Sequence, residues 1–169
     1  GAENSFFSFN SQPPHQLFFG EGGIDDAEDA DVVIHEFMHS VIYEASPSVT
    51  PIPQRETLEE AIGDYFAVSY SKTVNSFNPN KVFTWDGNNG NWQGRSVSSS
   101  KHHDTLTFSG ANIYMHTDIL ASVLMEIYSS IGRDKSDELV MESIFCLEDL
   151  TTMPQFAAFM ILSDSALNN

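Results

Sequence analysis

Two histidines four residues apart constrain this chain more than any other feature of its sequence. They stand in the run His35-Glu36-Phe37-Met38-His39. Apolar residues recur around this run at three- and four-residue steps, which predicts a core-facing helix from about residue 25 to residue 42. Residues four apart on a helix differ by about 40° around the axis and about 6 Å along it, so both imidazoles leave one face. This spacing lets two ring nitrogens reach one zinc ion at about 2.0–2.1 Å.

Glu36 lies between the two histidines and is expected to project beside such a metal, where a water bound to the ion would sit. A carboxylate at that place can take a proton from the water, which makes Glu36 the candidate general base. The alternative is a pair of ordinary surface histidines that hold no ligand between them.

A second helix is predicted from about residue 57 to residue 70. A catalytic zinc site needs three protein ligands and an open position, so two histidines leave it one ligand short. Glu60 is the candidate third ligand, and Asp64, one turn later, is expected to accept the remaining ring N–H of His35. Gly63 is unfavourable inside a helix and predicts a close approach of the two helices beside the metal. The alternative is an acidic helix face exposed to solvent.

The two motifs together resemble those of the gluzincin metallopeptidases, in particular the thermolysin-like and fungalysin-like branches. Those enzymes carry a His-Glu-x-x-His helix and a second helix whose Glu completes the zinc site, with an Asp four residues later. The resemblance implies one Zn²⁺ ion held by His35, His39 and Glu60, and a peptide or protein as substrate.

The resemblance extends to two further segments. The residues Asn4, Ser5 and Phe6 are similar to the start of the family's edge strand, which pairs with peptide, and this implies that they bind substrate. The segment that contains His116 is similar to the one whose histidine stabilises the transition state, and this implies that His116 stabilises the oxyanion. A lone histidine before an apolar helix is otherwise a structural residue.

Other features depart from the family pattern. The chain starts almost at the edge strand, where relatives have a β-rich region upstream. We therefore expect residues 1–169 to be a single catalytic domain from a longer polypeptide, whose other domains would be its partners. Glu59 stands where relatives often have Asn, and Tyr114 is the candidate for a tyrosine that assists the oxyanion. Asp31 matches a calcium-ligand position of some relatives, but an acidic start to the helix explains it equally well, so Ca²⁺ is a second, weaker cofactor expectation.

Composition excludes several classes of function. Seven Lys and Arg against 24 Asp and Glu give a formal net charge of −17. Such a surface has no basic cluster to displace phosphate counterions, so neither nucleic acid nor an anionic membrane is an expected partner. The single cysteine excludes an internal disulfide framework. Secretion is implied by the resemblance alone, since the chain shows no signal peptide.

The expected fold class is α+β and predominantly α-helical, with short N-terminal β-strands packed on a helical zincin-type metallopeptidase core. Aromatic runs at residues 6–9 and 17–19 predict the strands. Three later helices are predicted at about residues 113–130, 135–147 and 154–166. The expected function is zinc-dependent endopeptidase activity. Two alternatives stay open: a catalytically inactive gluzincin-like module that binds peptide or another domain, and another zinc hydrolase such as an aminopeptidase.

Overall fold

The computed structural model describes residues 4–9, 14–88 and 92–168, and it shows a mostly helical α+β fold with two small antiparallel sheets. Five helices carry the fold: α1 (Ala30–Ala45), α2 (Pro53–Val74), α3 (Thr117–Ile131), α4 (Arg133–Ile144) and α5 (Met153–Leu167). The strands are β1 (Phe6–Ser8), β2 (Gln16–Phe18), β3 (Lys81–Val82) and β4 (Arg95–Ser96). None of the helices among the described residues combines the length and the apolar character needed to cross a bilayer.

The N-terminal hairpin confirms the two predicted strands. β1 and β2 pair antiparallel with Phe6 opposite Phe18, and these two rings stack 4.9 Å apart. The rings of Phe7 and Phe9 lie 5.7 and 5.1 Å from the ring of Tyr43 in α1. These aromatic contacts attach the hairpin to the helix that carries the two histidines.

The predicted start of the first helix is wrong by about five residues. Asp26–Glu28 form a 3₁₀ turn, and α1 begins only at Ala30, with Asp29 as the N-cap that accepts the N–H of Asp31. The carboxylate of Asp26 accepts the hydroxyl of Ser5 instead of facing solvent at a helix start. The acidic residues before α1 therefore bond other segments, and the helix begins later than its periodicity suggests.

The second helix begins earlier than predicted. α2 starts at Pro53, which suits a first helical turn because proline lacks the N–H that would go unpaired there. Thr57, the predicted first residue, lies inside the helix, where its hydroxyl donates to the carbonyl of Pro53 at 2.9 Å. α2 contacts all four other helices, and its central apolar residues are fully buried: Leu58, Ala61, Ile62, Tyr65, Ala67 and Val68.

The three C-terminal helices lie close to their predicted positions. The main difference is that residues Ile113–His116 form a 3₁₀ turn before α3 rather than its first turn. Gly132, at φ 86°, separates α3 from α4 in a backbone conformation that other residues rarely adopt. All three of these helices contact α2, and α3 has the most extensive contact with it.

The hydroxyl of Tyr65 joins α2 to α4. It lies 2.7 Å from the Ser136 hydroxyl and donates to the Asp137 carboxylate at 2.7 Å. We expect Tyr65→Phe to lower the free energy of unfolding by about 1–2 kcal/mol, because two buried polar groups lose a partner. Urea unfolding measures this loss.

Tyr70→Phe is the matched control, since Tyr70 lies on the same helix with an exposed ring. We expect it to change the free energy of unfolding by less than about 0.5 kcal/mol. Equal losses in both variants would contradict the role given to the Tyr65 hydroxyl.

Candidate metal centre

Three side chains bring their ligand atoms together between α1 and α2. The Nε2 atoms of His35 and His39 are 3.2 Å apart, and carboxylate oxygens of Glu60 lie 3.2 Å from the first and 3.3 Å from the second. Ligands held at about 2.0–2.1 Å around a tetrahedral ion are separated by about 3.3 Å, which is the spacing observed. Among the described residues this is the one group of three His, Cys, Asp or Glu side chains that could hold a metal ion.

The two helices position this group as their sequences predict. α1 presents His35 and His39 one turn apart on the face that packs against α2, and α2 presents Glu60 towards them. His35 is buried, whereas His39 and Glu60 keep part of their surface open to solvent. A metal held here would therefore be fixed from the core side and accessible from the other.

Asp64 orients His35 from behind. Its Oδ1 atom lies 3.1 Å from Nδ1 of His35. A carboxylate accepts a hydrogen bond, so the ring proton belongs on Nδ1 and the lone pair of Nε2 points at the ligand group. Burial alone would raise the pKa of Asp64, but the charge of Arg95 and the hydrogen bond from His35 hold it below its usual value. The structure thus brings Asp64 to the place that the sequence predicts.

Gly63 lets the imidazole of His35 lie directly on the backbone of α2. A Cβ atom on Gly63 would stand 2.6 Å from Nδ1 and 2.8 Å from Cε1 of that ring. Real Cβ atoms do not approach other atoms so closely, so any larger residue displaces the ring. The predicted close approach of the helices at Gly63 is confirmed.

Arg95, which the sequence analysis missed, completes the surroundings of the centre. From β4 its guanidinium donates to Asp64 at 3.0 Å and to Glu60 at 3.3 Å, and it lies over the ring of Phe83 at 4.8 Å. Burial lowers the pKa of Arg95, but the charge of Asp64 outweighs this effect and raises the pKa of Arg95 above its usual value. Its only sequence signal is an isolated arginine in a segment rich in Asn, Gly and Ser.

We call His35, His39 and Glu60 the metal group. These three residues and Glu36 open onto one cleft of about 790 Å³. Burial raises the pKa of Glu36, while the neighbouring charges of His35 and His39 oppose that rise. Aromatic and other apolar side chains form much of the wall: Phe6, Phe7, Phe9, Val32, Tyr43, Phe83, Trp92, Tyr114 and Met115. The cleft is large enough to surround several residues of a ligand and is mostly apolar around a few polar groups.

The three residues with an implied substrate role reach the same cleft. Asn4, Ser5 and Phe6 line it beside β1. The hydroxyl of Ser5 is already engaged, because it donates to Asp26 and accepts the N–H of Gly20 at 3.1 Å. The Ser5 side chain therefore stabilises the turn before α1 and is not free to bind a ligand.

His116 is not brought to the metal group. Its ring packs against Phe108 at 5.4 Å, its Nδ1 atom is buried with no partner among the described residues, and it does not line the cleft. Tyr114 lines the cleft instead, and the charge of Glu60 together with burial raises its pKa. Within the 3₁₀ turn Tyr114 and Met115 face the cleft, whereas the ring of His116 packs against Phe108. The oxyanion role of His116 stays a prediction.

Glu59 forms an ion pair with an arginine and does not bond a histidine of the metal group. Its carboxylate pairs with the buried guanidinium of Arg55 at 2.8 Å, one turn earlier on α2, and it forms part of the cleft wall. The departure from the family pattern at Glu59 therefore adds an ion pair next to the centre.

The comparisons with known proteins add no family to this geometry. No protein-family model matches the chain, and no curated protein matches it. The resemblance to gluzincins accordingly depends on the sequence motifs alone.

We expect Gly63→Ala to weaken zinc binding by about 10- to 100-fold, because the added Cβ displaces the His35 ring from its position between Asp64 and the ligand group. Competition with a chromophoric chelator measures the affinity. Gly110→Ala is the control, since a Cβ there meets no atom within 4 Å. Unchanged affinity in Gly63→Ala would contradict the assignment of His35 as a ligand.

Zinc binding should release a proton from His35. Burial lowers the pKa of this residue, but hydrogen bonds with Asp64 and Glu60 outweigh it and raise the pKa to about 9. Below that pH the metal must displace the proton, so zinc affinity should rise with pH up to about 9.

Isothermal titration at pH 7 in buffers of different ionisation enthalpy measures the number of protons released. Substitution of Asp64 by Asn removes one source of the raised pKa and should reduce the release. Zinc affinity that does not change between pH 7 and pH 9 would contradict this expectation.

Proposed function

We propose that the protein is a zinc-dependent endopeptidase with a zincin-type core formed by α1 and α2. The observation that supports it most is the tetrahedral spacing of His35, His39 and Glu60. Glu36 opens onto the same cleft as these three side chains. Such a ligand set, with one position left to solvent, is typical of catalytic rather than structural zinc sites.

Two imidazole nitrogens and one carboxylate favour zinc over calcium or magnesium, which prefer oxygen ligands. A zinc ion held by His35, His39 and Glu60 would polarise the substrate carbonyl and lower the pKa of water beside it to about 7. Because Nδ1–H of His35 donates to Asp64, Nε2 is the ring nitrogen that can bind the ion.

Glu36 carries the proton transfers in this proposal. Its carboxylate takes a proton as the water oxygen bonds to the peptide carbon, and it gives that proton to the nitrogen as the C–N bond breaks. A pKa raised by burial suits both steps, because the group must be a base first and an acid afterwards. The backbone of Phe7 in β1 partly opposes the rise in this pKa.

A peptide substrate would lie extended along β1. This strand pairs with β2 along one edge, and its residues Phe6 and Phe7 line the cleft. An extended peptide can add to such a strand through backbone hydrogen bonds. Arg95 and Tyr114 line the cleft wall and offer donors to a substrate oxygen. An oxyanion role for His116 requires its ring to leave Phe108.

Substitution of Glu36 by Gln tests the proposal. We expect the variant to keep its zinc and to lose casein hydrolysis by about 100-fold or more, because the amide cannot accept the proton. Metal analysis of the purified protein and release of soluble peptide are the two measurements. Glu44→Gln is the control, since Glu44 lies on the same helix with an exposed side chain, and it should keep full activity.

Two other outcomes would replace the proposal. Bound zinc without any cleavage that depends on Glu36 would indicate an inactive module that binds peptide. Cleavage of peptides with a free N-terminus, but not of the same peptides after N-acetylation, would indicate an aminopeptidase.

A further inference from the structure

Two buried carboxylates before and at the start of α1 hold the loop that follows β3. Asp29 accepts the backbone N–H groups of Trp85 at 3.1 Å and Asp86 at 2.9 Å. Asp31 accepts the N–H of Phe83 at 2.9 Å and also the hydroxyl of Ser71 in α2. Both carboxylates are almost fully buried, so these hydrogen bonds replace water as their solvation.

These contacts do not fit a calcium ion at Asp31, which the resemblance implies for some relatives. Calcium takes six to eight oxygen ligands. The oxygens of Asp31 are occupied by N–H and O–H donors, whose hydrogens point at the carboxylate. The adjoining hollow of about 300 Å³ is lined by Glu28, Asp29 and Asp31 and also by Lys72 and Lys81, whose positive charges offset part of this negative charge. The N–H of Phe83 and the hydroxyl of Ser71 thus stabilise the negative charge of Asp31 without a calcium ion.

The loop held in this way reaches the metal group. Phe83 has a φ of 61°, an uncommon value for a residue with a side chain, and its N–H is the group that Asp31 accepts. Its ring lies 5.2 Å from the ring of His35 and supports the guanidinium of Arg95. Arg95, opposite Val82 in the β3–β4 pair, in turn bonds Asp64 and Glu60.

We propose that Asp29, Asp31 and Ser71 form a clamp that works without calcium and positions Phe83 and Arg95 against the metal group. This proposal concerns the position of Phe83 and Arg95 beside the metal group and does not depend on peptide hydrolysis. The absence of endopeptidase activity would therefore not contradict it.

Ser71→Ala removes one donor from Asp31 and tests the clamp. Both tryptophans of the chain, Trp85 and Trp92, lie in the clamped segment, and Trp92 packs on Phe83 at 5.5 Å. We expect the variant to show a red-shifted tryptophan emission and stronger acrylamide quenching. We also expect zinc affinity to fall by about three- to tenfold, less than for a direct partner of a ligand. The absorption bands of the Co²⁺-substituted protein should shift as His35 loses its support.

Two matched variants separate positioning from general damage. Ser71→Thr keeps the hydroxyl and should restore emission, Co²⁺ spectrum and zinc affinity. Ser130→Ala removes an exposed helical hydroxyl that bonds only its own helix, at Glu126, and should change none of the three. Wild-type emission and zinc affinity in Ser71→Ala would overturn the proposal.

Calcium itself gives a second test on the unaltered chain. Millimolar Ca²⁺, added to the zinc-loaded protein with Mg²⁺ as the control cation, should leave Tm and tryptophan emission unchanged. A rise in Tm that is specific to Ca²⁺ and is abolished by Asp31→Asn would overturn the proposal, because it would show that the carboxylate binds the ion.

Discussion

The packing of α1 directly on α2 at Gly63 is the contact on which the candidate site depends. It places the imidazole of His35 against the backbone of the neighbouring helix. Only at that separation can Asp64 bond one nitrogen of the ring while Glu60 faces the other. A wider spacing would separate the buried ring of His35 from its carboxylate partners, which costs more than the helix propensity lost at a glycine.

Charge balance explains why the polar groups around this contact belong together. Two carboxylates, Glu60 and Asp64, face the histidine pair, and Arg95 bonds both of them. Hydrogen bonds to His35 and His39 lower the pKa of Glu60 well below its usual value against the effect of burial. A divalent cation bound there takes over the positive charge that a protonated His35 supplies in its absence.

Helix periodicity located all five helices but not all of their ends. The spacing of the apolar residues does not show where the polar groups at a helix end bond residues of another segment. At the start of α1 the acidic residues bond other parts of the chain, so the helix begins at Ala30. At the start of α2 the fixed φ of Pro53 sets the first turn, and Thr57 lies within the helix. Both differences come from interactions between the helix end and residues outside its own pattern.

The sequence by itself determined the metal group, because His35 and His39 share a helix face by spacing alone, and Glu60 and Asp64 share another. The tertiary structure decided which groups surround it. Arg95 comes from β4, 31 residues after Asp64 in the chain, and the packing of the 3₁₀ turn before α3 places Tyr114 in the cleft wall and His116 against Phe108. Local spacing fixes directions within one element, whereas contacts between elements depend on packing that no single segment encodes.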